Sequence, residues 1–472
     1  MSGETKKLSF LEKLGYGCGD LASVLFWQTI MVYLLFFYTD VFGLSAAAAG
    51  IMFFVSRILD AFFDVVIGMA ADRTKSRWGK FRPYILWGAV PLAISAVLAF
   101  TTPSFGEAGK LIYAYITFIA FMFLYSTVNI PYTALLGVIS GDPVDRTSAA
   151  SFKFVGAYIA GFIVSATALP FAKYFGGGNQ GHGWQITMII FAIAAIIFFM
   201  ITFLSTRERI QPIAKEKTSI KNDLKDLSKN TPWILLFIMT ILFILFVCIR
   251  LSVTPHYFKY YVGEQEFNFF GTTYKYGFEI WASVFNTIGQ ALSLVGVLLV
   301  PWFTKLVGRK NALIILLSGA IICTGAFYFL RPNDLLWIFI LQVLGSITGG
   351  PCSALFWVMY ADTADYSEWK TGRRATGLVF SASIMSNKLG WAIGSMIAGL
   401  ILAATGFIPD VIQNINVQNG LKSMMSVIPV VAGIVVLVIL IFFYKLDETT
   451  MKKVKSDLEE RRLAAGEEPT TV

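Results

Sequence analysis

Twelve apolar stretches, each long enough to cross a lipid bilayer, dominate this sequence. The first six lie near residues 21–42, 46–71, 84–101, 111–138, 154–172 and 185–204. The second six lie near residues 233–253, 277–303, 311–330, 335–360, 377–404 and 424–444. A membrane-spanning helix needs roughly 20 apolar residues, and 56% of the 472 residues are hydrophobic whereas only 14% are charged. The sequence therefore predicts an all-α polytopic membrane protein with 12 transmembrane helices.

The basic residues are concentrated in alternate connections between these stretches. Segments 72–83, 205–232 and 305–310 and both termini are rich in Lys and Arg. Connections 43–45, 102–110 and 173–184 carry one Lys or none. Because Lys and Arg gather on the cytoplasmic side of a membrane, we expect both termini and the central loop in the cytoplasm, with the chain in a plasma membrane of the bacterial inner-membrane type. The net charge of +9 then reflects membrane orientation, and we expect no nucleic-acid partner.

The chain divides into two parts that resemble each other weakly. The predicted units are residues 1–204, a central loop 205–232, residues 233–444 and a tail 445–472, in which a solvated helix over 452–462 is expected. Basic connections follow the second and the eighth stretch, and a pair of aspartates follows the fourth and the tenth. Two parallel six-helix halves are similar to the layout of the major facilitator superfamily, whose binding site lies between the halves near the bilayer centre.

Two carboxylates stand one helical turn apart in the second apolar stretch. Asp60 and Asp64 share one face of a helix, and an ionisable group at this depth indicates a functional site because lipid offers it no partner. Hard cations prefer such oxygens, and a proton neutralises them, so we predict a cation site here. The alternative is a structural ion pair with Arg57, one turn earlier, or with Lys388, a lone ammonium in the eleventh stretch. The two interpretations are compatible if the ion pair breaks when the cation arrives.

Three further charges lie in or beside apolar stretches. Asp20 follows closely spaced glycines at the start of the first stretch, where it faces a substrate or a basic partner, or else caps the start of a helix. Arg250 and Glu279 are single charges for which an ion pair, an interfacial position and a role in transport all remain open. The glycine-rich segment 176–183 lacks the lysine of a phosphate-binding loop and is expected to be an external connection.

Patterns of enzyme active sites are missing from the sequence. The four cysteines have no metal-ligand spacing, the two histidines lie away from the centres of the apolar stretches, and no nucleophile–base pair is evident. We therefore expect no enzymatic activity and no cofactor. The expected ligands are a monovalent cation and a small molecule, and the expected state is a monomer in the lipid bilayer.

Six motifs, taken together, carry a family resemblance. They are Tyr-Gly-Cys-Gly-Asp at 16–20, Phe-Tyr-Thr-Asp at 37–40, Arg-Ile-Leu-Asp-Ala-Phe-Phe-Asp at 57–64, Thr-Lys-Ser-Arg-Trp-Gly-Lys-Phe-Arg-Pro at 74–83, Asn-Ile-Pro-Tyr at 129–132 and Ala-Asp-Thr-Ala-Asp-Tyr-Ser-Glu-Trp-Lys-Thr-Gly at 361–372. The chain thereby resembles the glycoside-pentoside-hexuronide:cation symporters, the melibiose-permease-like branch of the major facilitator superfamily. The resemblance covers most of the chain and implies symport of a sugar with Na⁺ or H⁺.

The resemblance also implies roles for particular residues. The implied cation-binding residues are Asp60, Asp64 and Ser126, and the implied coupling residues are Lys388 and Arg57. The implied sugar-binding residues are Asp20, Asn129 and Lys153, with Lys153 aligned across a one-residue gap. Tyr132 is a further expected sugar-binding residue, because an aromatic ring can stack on the face of a sugar. From the charges of the connecting segments we further expect a cytoplasmic gate of ion pairs that closes when the transporter faces outward. Its expected members are Arg73, Arg77, Lys80, Asp142, Arg146, Asp362 and Asp365.

Three positions depart from melibiose permease itself. Phe63 stands where that protein has an amide beside the cation carboxylates, which leaves H⁺ beside Na⁺ as the coupling ion. Asn129 replaces an aspartate and Thr133 replaces a sugar-stacking tryptophan, a combination more similar to the xyloside and glucuronide branch. A carrier of lysolipids or other amphipathic solutes, an uncoupled sugar facilitator and a sugar sensor are the alternative functions.

Overall fold

The computed structural model describes residues 7–140, 142–209, 227, 230–269, 272–371 and 376–464. The first half consists of α1 (Phe10–Phe36), α2 (Ala46–Arg73), α3 (Arg82–Ala99), α4 (Glu107–Leu135), α5 (Pro143–Gly176) and α6 (Gln180–Ser205). The second half consists of α7 (Thr231–Tyr257), α8 (Phe278–Val307), α9 (Arg309–Ala326), α10 (Leu335–Thr371), α11 (Thr376–Ala404) and a sixth crossing divided into α12 (Ile415–Met425) and α13 (Val427–Val438). The tail helix α14 (Glu448–Ala464) follows it. The predicted central loop falls mostly outside the described residues.

The described helices agree with twelve membrane crossings. Eleven helical stretches of the described chain are long and apolar enough to cross a membrane, with α12 and α13 counted as one. Helix α2, which carries the predicted cation carboxylates, is 28 residues long and packs among them. The chain is therefore an all-α polytopic membrane protein of the predicted type. We call the end of the bundle where α1 begins the termini side and the opposite end the far side.

Helix α1 begins at Phe10, well before the predicted span start at residue 21. The Ser9 hydroxyl accepts a hydrogen bond from the Glu12 N–H, and the Glu12 carboxylate accepts one from the Ser9 N–H. This reciprocal capping box satisfies two backbone donors that the first turn would otherwise leave free. Polar capping residues thus extend the helix beyond its apolar stretch, which hydropathy alone did not predict.

The tail helix packs on the bundle, so the prediction of a fully solvated helix is wrong. Three apolar side chains of α14 are buried: Met451, Val454 and Leu458. The Trp369 indole N–H of α10 also donates to Asp457 Oδ2 at 2.8 Å. Apolar residues at helical spacing give α14 a face that packs on its neighbour despite its many charges.

A small β-hairpin joins α7 to α8 and was not predicted. Strands β1 (Gln265–Phe269) and β2 (Thr272–Tyr276) pair antiparallel, with Gln265 opposite Tyr276. The hairpin lies on the far side of the bundle, after the π-helical segment that extends α7. It adds a two-stranded element to an otherwise helical fold.

Helices of the two halves contact each other along three lines: α2 packs on α11, α5 on α8 and α1 on α7. The α2–α11 contact is especially close at Gly50 and Gly399. A Cβ atom on Gly399 would lie 2.4 Å from the Ala46 carbonyl oxygen, and one on Gly50 would lie 3.0 Å from the Met396 carbonyl oxygen. Only glycine fits at such an approach, and it brings the carboxylate face of α2 against the lysine of α11.

The first helix of each half ends in the same irregular way. Helix α1 continues as a π-helical segment over Phe37–Val41, and α7 continues as one over Phe258–Val262. Matching irregularities at matching positions support the similarity of the halves that the sequence indicated. Because π-helical turns are rare and occur often at functional sites, the side chains on these two segments have particular interest.

Candidate functional site

The two predicted cation carboxylates converge with two further predicted residues. The Ser126 hydroxyl lies 2.8 Å from Asp60 Oδ1 and 2.8 Å from Asp64 Oδ1. The Lys388 ammonium donates to Asp60 Oδ2 at 2.8 Å and also pairs with Asp64 Oδ2. Helices α2, α4 and α11 thus deliver four polar side chains to one place between the halves.

Charge balance explains this arrangement. Asp60 is only 2% exposed, and two carboxylates so close together repel each other unless a positive charge separates them. The Lys388 ammonium supplies that charge, so the lysine alternative of the sequence analysis is realised. A cation that displaced the ammonium would meet the same carboxylate oxygens, which are the ligands that hard cations prefer.

The alternative ion pair of Arg57 with Asp60, which the sequence left open, does not form. The Arg57 guanidinium instead turns toward α1, where Nη2 donates to Met31 Sδ at 3.0 Å and the group lies 4.4 Å from the Trp27 ring centroid. Within the described part of the chain Arg57 makes no ion pair. Cation–π contact with a desolvated indole therefore competes successfully with the neighbouring carboxylate, and the coupling role of Arg57 stays a prediction.

Phe63 contributes no ligand atom to the predicted cation site. Its ring meets the Phe123 ring edge-on, with centroids 5.2 Å apart. The oxygens of this site come from Asp60, Asp64 and Ser126, and the departure from melibiose permease noted above leaves their convergence intact.

Three of the four predicted sugar-binding residues lie together on the first half. Lys153 Nζ lies 3.8 Å from Asp20 Oδ1 and 5.5 Å from the Tyr132 ring centroid. The Tyr132 hydroxyl donates to the Tyr16 carbonyl at 2.8 Å, and the two tyrosine rings stack. Because α1 begins at Phe10, Asp20 lies inside the helix, and its alternative role as a helix cap is wrong.

Asn129 lies on α4 between the two clusters. Its Oδ1 accepts a hydrogen bond from the Thr133 hydroxyl at 3.2 Å, and no hydrogen bond among the described residues joins it to Asp20 or Lys153. Asn129 follows Ser126 by one helical turn on α4. Helix α4 therefore carries a predicted sugar-binding residue one turn away from a predicted cation-binding residue. A movement of α4 would change the position of both.

A cavity of about 360 Å³ lies between the halves. Gln28 and Tyr158 line it from the first half, and the rest of the lining comes mainly from the second half, including Arg250 and Asn286. Trp391 also lines it and follows Lys388 by one helical turn on α11. The described residues that line the cavity include none of the predicted cation-binding residues and none of the four predicted sugar-binding residues.

A buried polar network joins the halves on the far side. Asp40 Oδ2 lies 3.2 Å from His256 Nε2, and Asp40 Oδ1 lies 2.9 Å from Lys259 Nζ. The side chains of Asp40 and His256 are both fully buried, and Tyr260 also donates to Asp40. These groups lie on or next to the two π-helical segments, so the irregular helix ends position a contact between the halves.

A second ion pair crosses the halves on the same side. Lys173 of α5 lies 3.0 Å from Glu279 of α8, so Glu279 takes part in an ion pair, one of the roles left open above. Sequence reasoning missed the Asp40 network because its partners are more than 200 residues apart. The one available signal was Asp40 itself, a charged residue in a family motif beside an apolar stretch.

Several predicted gate residues are held within their own halves in this conformation. Asp362 pairs with Arg309 of α9, and Asp142 Oδ1 caps α5 by accepting from the Val144 N–H at 2.9 Å. The loop before α3 is fixed by Glu208, which accepts from the Lys80 N–H at 2.8 Å. None of these contacts joins one half to the other, and the gating role of the set stays a prediction.

Two six-helix halves with charged groups buried between them define a multi-pass membrane transporter of the major facilitator superfamily. Among solved structures, a mutant form of the nucleoside transporter NupG matches with a TM-score of 0.66 at 15% identity, covering 92% of this chain and 100% of that chain. A bacterial homologue of the lysosomal transporter Spinster matches with a TM-score of 0.63 at 17% identity, covering 94% and 97%. These likenesses establish the fold.

The family model described as MFS/sugar transport protein matches residues 15–448, and the chain belongs to this family. It is 35% identical to the isoprimeverose transporter of Lactiplantibacillus pentosus, over 95% of this chain and 91% of that protein. It is 36% identical to the inner membrane symporter YicJ of Escherichia coli K12, over 96% of each. A putative glycoside/cation symporter of the same organism, YagG, is 34% identical over 98% of this chain and 97% of that protein. The resemblance to the glycoside-pentoside-hexuronide:cation symporters is thereby confirmed.

Proposed function

We propose that this protein is a secondary active transporter that carries a sugar together with Na⁺ or H⁺ by alternating access. The single observation that carries the proposal is the Lys388 ammonium held between Asp60 and Asp64. A lysine at this position occupies the carboxylate oxygens until a cation displaces it. Relatives named as isoprimeverose transporter, glycoside/cation symporter and glucuronide carrier support a sugar as the second substrate.

The coupling between cation and sugar is electrostatic. A cation at Asp60 and Asp64 releases Lys388, whose helix also carries Trp391 in the wall of the cavity. Cation binding also involves Ser126 of α4. Because Asn129 lies one turn further along α4, cation binding is coupled to the sugar-binding residues of the first half. By thermodynamic linkage, a cation that favours sugar binding is itself bound more tightly when sugar is present.

Alternating access follows from contacts that each conformation makes between the halves. In this structure the Asp40 network and the Lys173–Glu279 pair join them on the far side. We infer that the termini side is cytoplasmic, as the distribution of Lys and Arg indicates, and that this conformation is closed to the outside. Opening outward breaks the far-side contacts, while the predicted gate residues form the cytoplasmic closure.

The protein needs no resident cofactor for this cycle, and we infer transport without enzymatic chemistry. It works as a monomer in the bacterial inner membrane. The cavity wall favours a sugar over a lipid because amides and hydroxyls line much of it: Gln28, Asn286, Gln290, Ser293, Gln342 and Ser346. Such side chains exchange hydrogen bonds with sugar hydroxyls, whereas an acyl chain would leave them unsatisfied.

Uptake into membrane vesicles tests the proposal. The panel consists of labelled isoprimeverose, xylosides, glucosides, galactosides and glucuronides, each with an inward Na⁺ gradient or an inward proton gradient imposed separately. We expect accumulation of at least one sugar under one gradient, and that gradient identifies the coupling ion. Failure of every sugar to accumulate under both gradients would contradict symport, and downhill entry alone would make the protein a facilitator.

A further inference from the structure

Arg57 is a buried cation with few acceptors around it. The residue is only 4% exposed, and its Nη1 is buried with no hydrogen-bond partner among the described residues. Nη2 donates to the Met31 thioether at 3.0 Å, and sulfur is a weak acceptor. The guanidinium also lies over the Trp27 ring. Because a charge inside a membrane protein is costly when its donors stay unmatched, we expect Arg57 to meet a further acceptor.

A small cavity beside Arg57 has room for that acceptor. This cavity, which we call the Arg57 pocket, has a volume of about 10 Å³. Arg57, Met31 and Phe53 line it from the first half, and Ser252 and Ser395 line it from the second. Among the described residues of its wall, Arg57 is the one charged side chain. A space of this size holds one particle about as large as a water molecule.

The wall of the Arg57 pocket combines donors with apolar surface. Ser252 is 3% exposed, and its hydroxyl contacts Cys248 Sγ at 3.8 Å, a weak hydrogen bond that leaves its proton free to turn toward a guest. The Ser395 hydroxyl donates to the Trp391 carbonyl instead. A guanidinium and a hydroxyl among apolar side chains suit a small anion. Phosphate, sulfate and carboxylates are too large for this space, whereas a chloride ion is only slightly larger than a water molecule.

The charges around the predicted cation site also leave a place for an anion. The two carboxylates of Asp60 and Asp64 balance the two cations Lys388 and Arg57, and Arg57 precedes Asp60 by one turn on α2. Binding of a coupling cation adds one positive charge to this group. Because charges interact strongly in a buried place, an anion held by Arg57 offsets that charge and favours the bound cation.

We propose that the Arg57 pocket binds a chloride ion, held by the Arg57 guanidinium and the Ser252 hydroxyl, and that this ion strengthens binding of the coupling cation. Side chains of both halves surround the ion. The anion site stands on its own, and its effect on the coupling cation rests on the proposed function. By linkage, the coupling cation in turn strengthens the binding of chloride.

Thermal unfolding of the purified protein tests the site without transport. Sodium chloride replaces sodium gluconate while the sodium concentration and the ionic strength stay constant. We expect the melting temperature of the wild type to rise with chloride and then to level off, because a ligand that binds only the folded state stabilises it up to saturation of the site.

Two variants and a control assign the effect to the Arg57 pocket. Arg57→Gln removes the charge, and we expect it to lose the chloride-dependent rise. Ser252→Ala removes one hydrogen bond to a charged ion and should raise the half-saturating chloride concentration by about tenfold. It takes the place of Arg57→Gln should that variant fail to fold. Arg331→Gln, at an exposed arginine before α10, is the matched control and should respond as the wild type does.

Uptake into vesicles tests the link to the coupling cation. The membrane potential is clamped, and the wild type is compared in chloride and in gluconate. We expect chloride to lower the cation concentration that gives half-maximal sugar uptake by at least about fivefold, the lower end of the usual coupling between two sites. In Arg57→Gln the two anions should give the same value.

Equal melting curves of the wild type in chloride and in gluconate would overturn the anion site. A chloride response that survives in Arg57→Gln, or an unchanged half-saturating concentration in Ser252→Ala, would overturn it as well. Chloride that stabilises the protein but leaves cation activation unchanged would overturn the link to coupling. A protein that responds to chloride in thermal unfolding yet accumulates no sugar contradicts the proposed function and not the site, so the two failures are distinguishable.

Discussion

The Lys388 ammonium of the second half lies 2.8 Å from Asp60 Oδ2 of the first half, deep between α2 and α11. The same ammonium pairs with Asp64, and the Ser126 hydroxyl bridges the other oxygens of both carboxylates. An ion pair of this kind is weak evidence for stability because desolvation offsets much of its attraction. In the proposed transport cycle its value lies in competition, since a cation entering between the carboxylates must displace the ammonium.

Asp64→Asn is expected to abolish stimulation of sugar uptake by the coupling gradient. The amide removes one of the two charges that attract the cation, and the remaining Asp60 is already neutralised by Lys388. Uptake under imposed Na⁺ and proton gradients measures the effect. Glu264→Gln, at a carboxylate whose side chain is 63% exposed, is the control and should keep the stimulation; an Asp64→Asn variant that keeps it would refute the cation site.

Ser126→Ala is expected to weaken cation activation by about tenfold while leaving the protein in the membrane. A hydrogen bond to a charged group contributes roughly 1.5–3 kcal/mol, and the buried Ser126 hydroxyl serves two carboxylates. Ser126→Thr retains the hydroxyl and should stay near the wild type. The measurement is the cation concentration, or the pH, that gives half-maximal uptake, and equal behaviour of both variants would argue against a ligand role.

Asp20→Asn is expected to raise the KM for every transported sugar by at least about tenfold, because a carboxylate accepts stronger hydrogen bonds from hydroxyls than an amide does. The half-maximal cation concentration without sugar should change far less, since Asp20 pairs with Lys153 rather than with Lys388. Measuring sugar binding to the purified protein, with and without cation, separates the effect on sugar affinity from the effect on cation affinity. An unchanged KM would remove Asp20 from the sugar site.

His256→Ala and Asp40→Asn are expected to shift the transporter toward the outward-open conformation. Each variant breaks the buried contact between the halves on the far side and leaves the cation site untouched. Labelling of a cysteine placed in the cavity wall by an impermeant reagent added outside measures this shift, on a background lacking the native cysteines. Labelling no faster than in the parent would show that the network does not hold the far side closed.

Gly399→Ala is expected to destabilise the protein by about 1–3 kcal/mol, the usual cost of overpacking, because its methyl group would lie 2.4 Å from the Ala46 carbonyl oxygen. Cation activation should weaken as well, since α2 and α11 move apart. Gly68→Ala on α2 is the matched control: its Cβ meets nothing within 4 Å, and removing a helical glycine stabilises by about 0.5–1 kcal/mol. Thermal unfolding in detergent compares the two, and equal melting temperatures would contradict the close packing.

The ends of the helices show which features local sequence patterns predict and which they do not. Hydropathy located the start of α2 at residue 46, as observed, because lipid-facing helices require an unbroken apolar run. It placed the start of α1 too late because the Ser9–Glu12 capping box lies in a polar segment. It also treated α14 as solvated, since the burial of Val454 and Leu458 depends on a neighbouring helix.

In the candidate site, too, the sequence identified charged residues, whereas only the structure showed which of them contact each other. The spacing of Asp60 and Asp64 and the family motifs indicated the cation site, and the motifs also indicated Ser126 and Lys388. The spacing equally allowed a pair of Arg57 with Asp60, whereas the structure turns Arg57 onto Trp27. Charge and spacing along one helix identify the residues that could form an ion pair. Which pair forms depends on the side chains of the neighbouring helices.

The sequence by itself determined the class of fold and the family, and it predicted twelve membrane crossings and the carboxylate pair of the candidate cation site. Each of these depends on residues close together along the chain, through hydropathy, helical spacing or motifs. Only the tertiary structure decided that Lys388 bridges both carboxylates, that Asp40 meets His256 and that Arg250 lines a cavity and pairs with no carboxylate of the described residues. Those relationships join residues far apart in the chain, and in a membrane interior the cost of an unpaired charge makes such distant partners decisive.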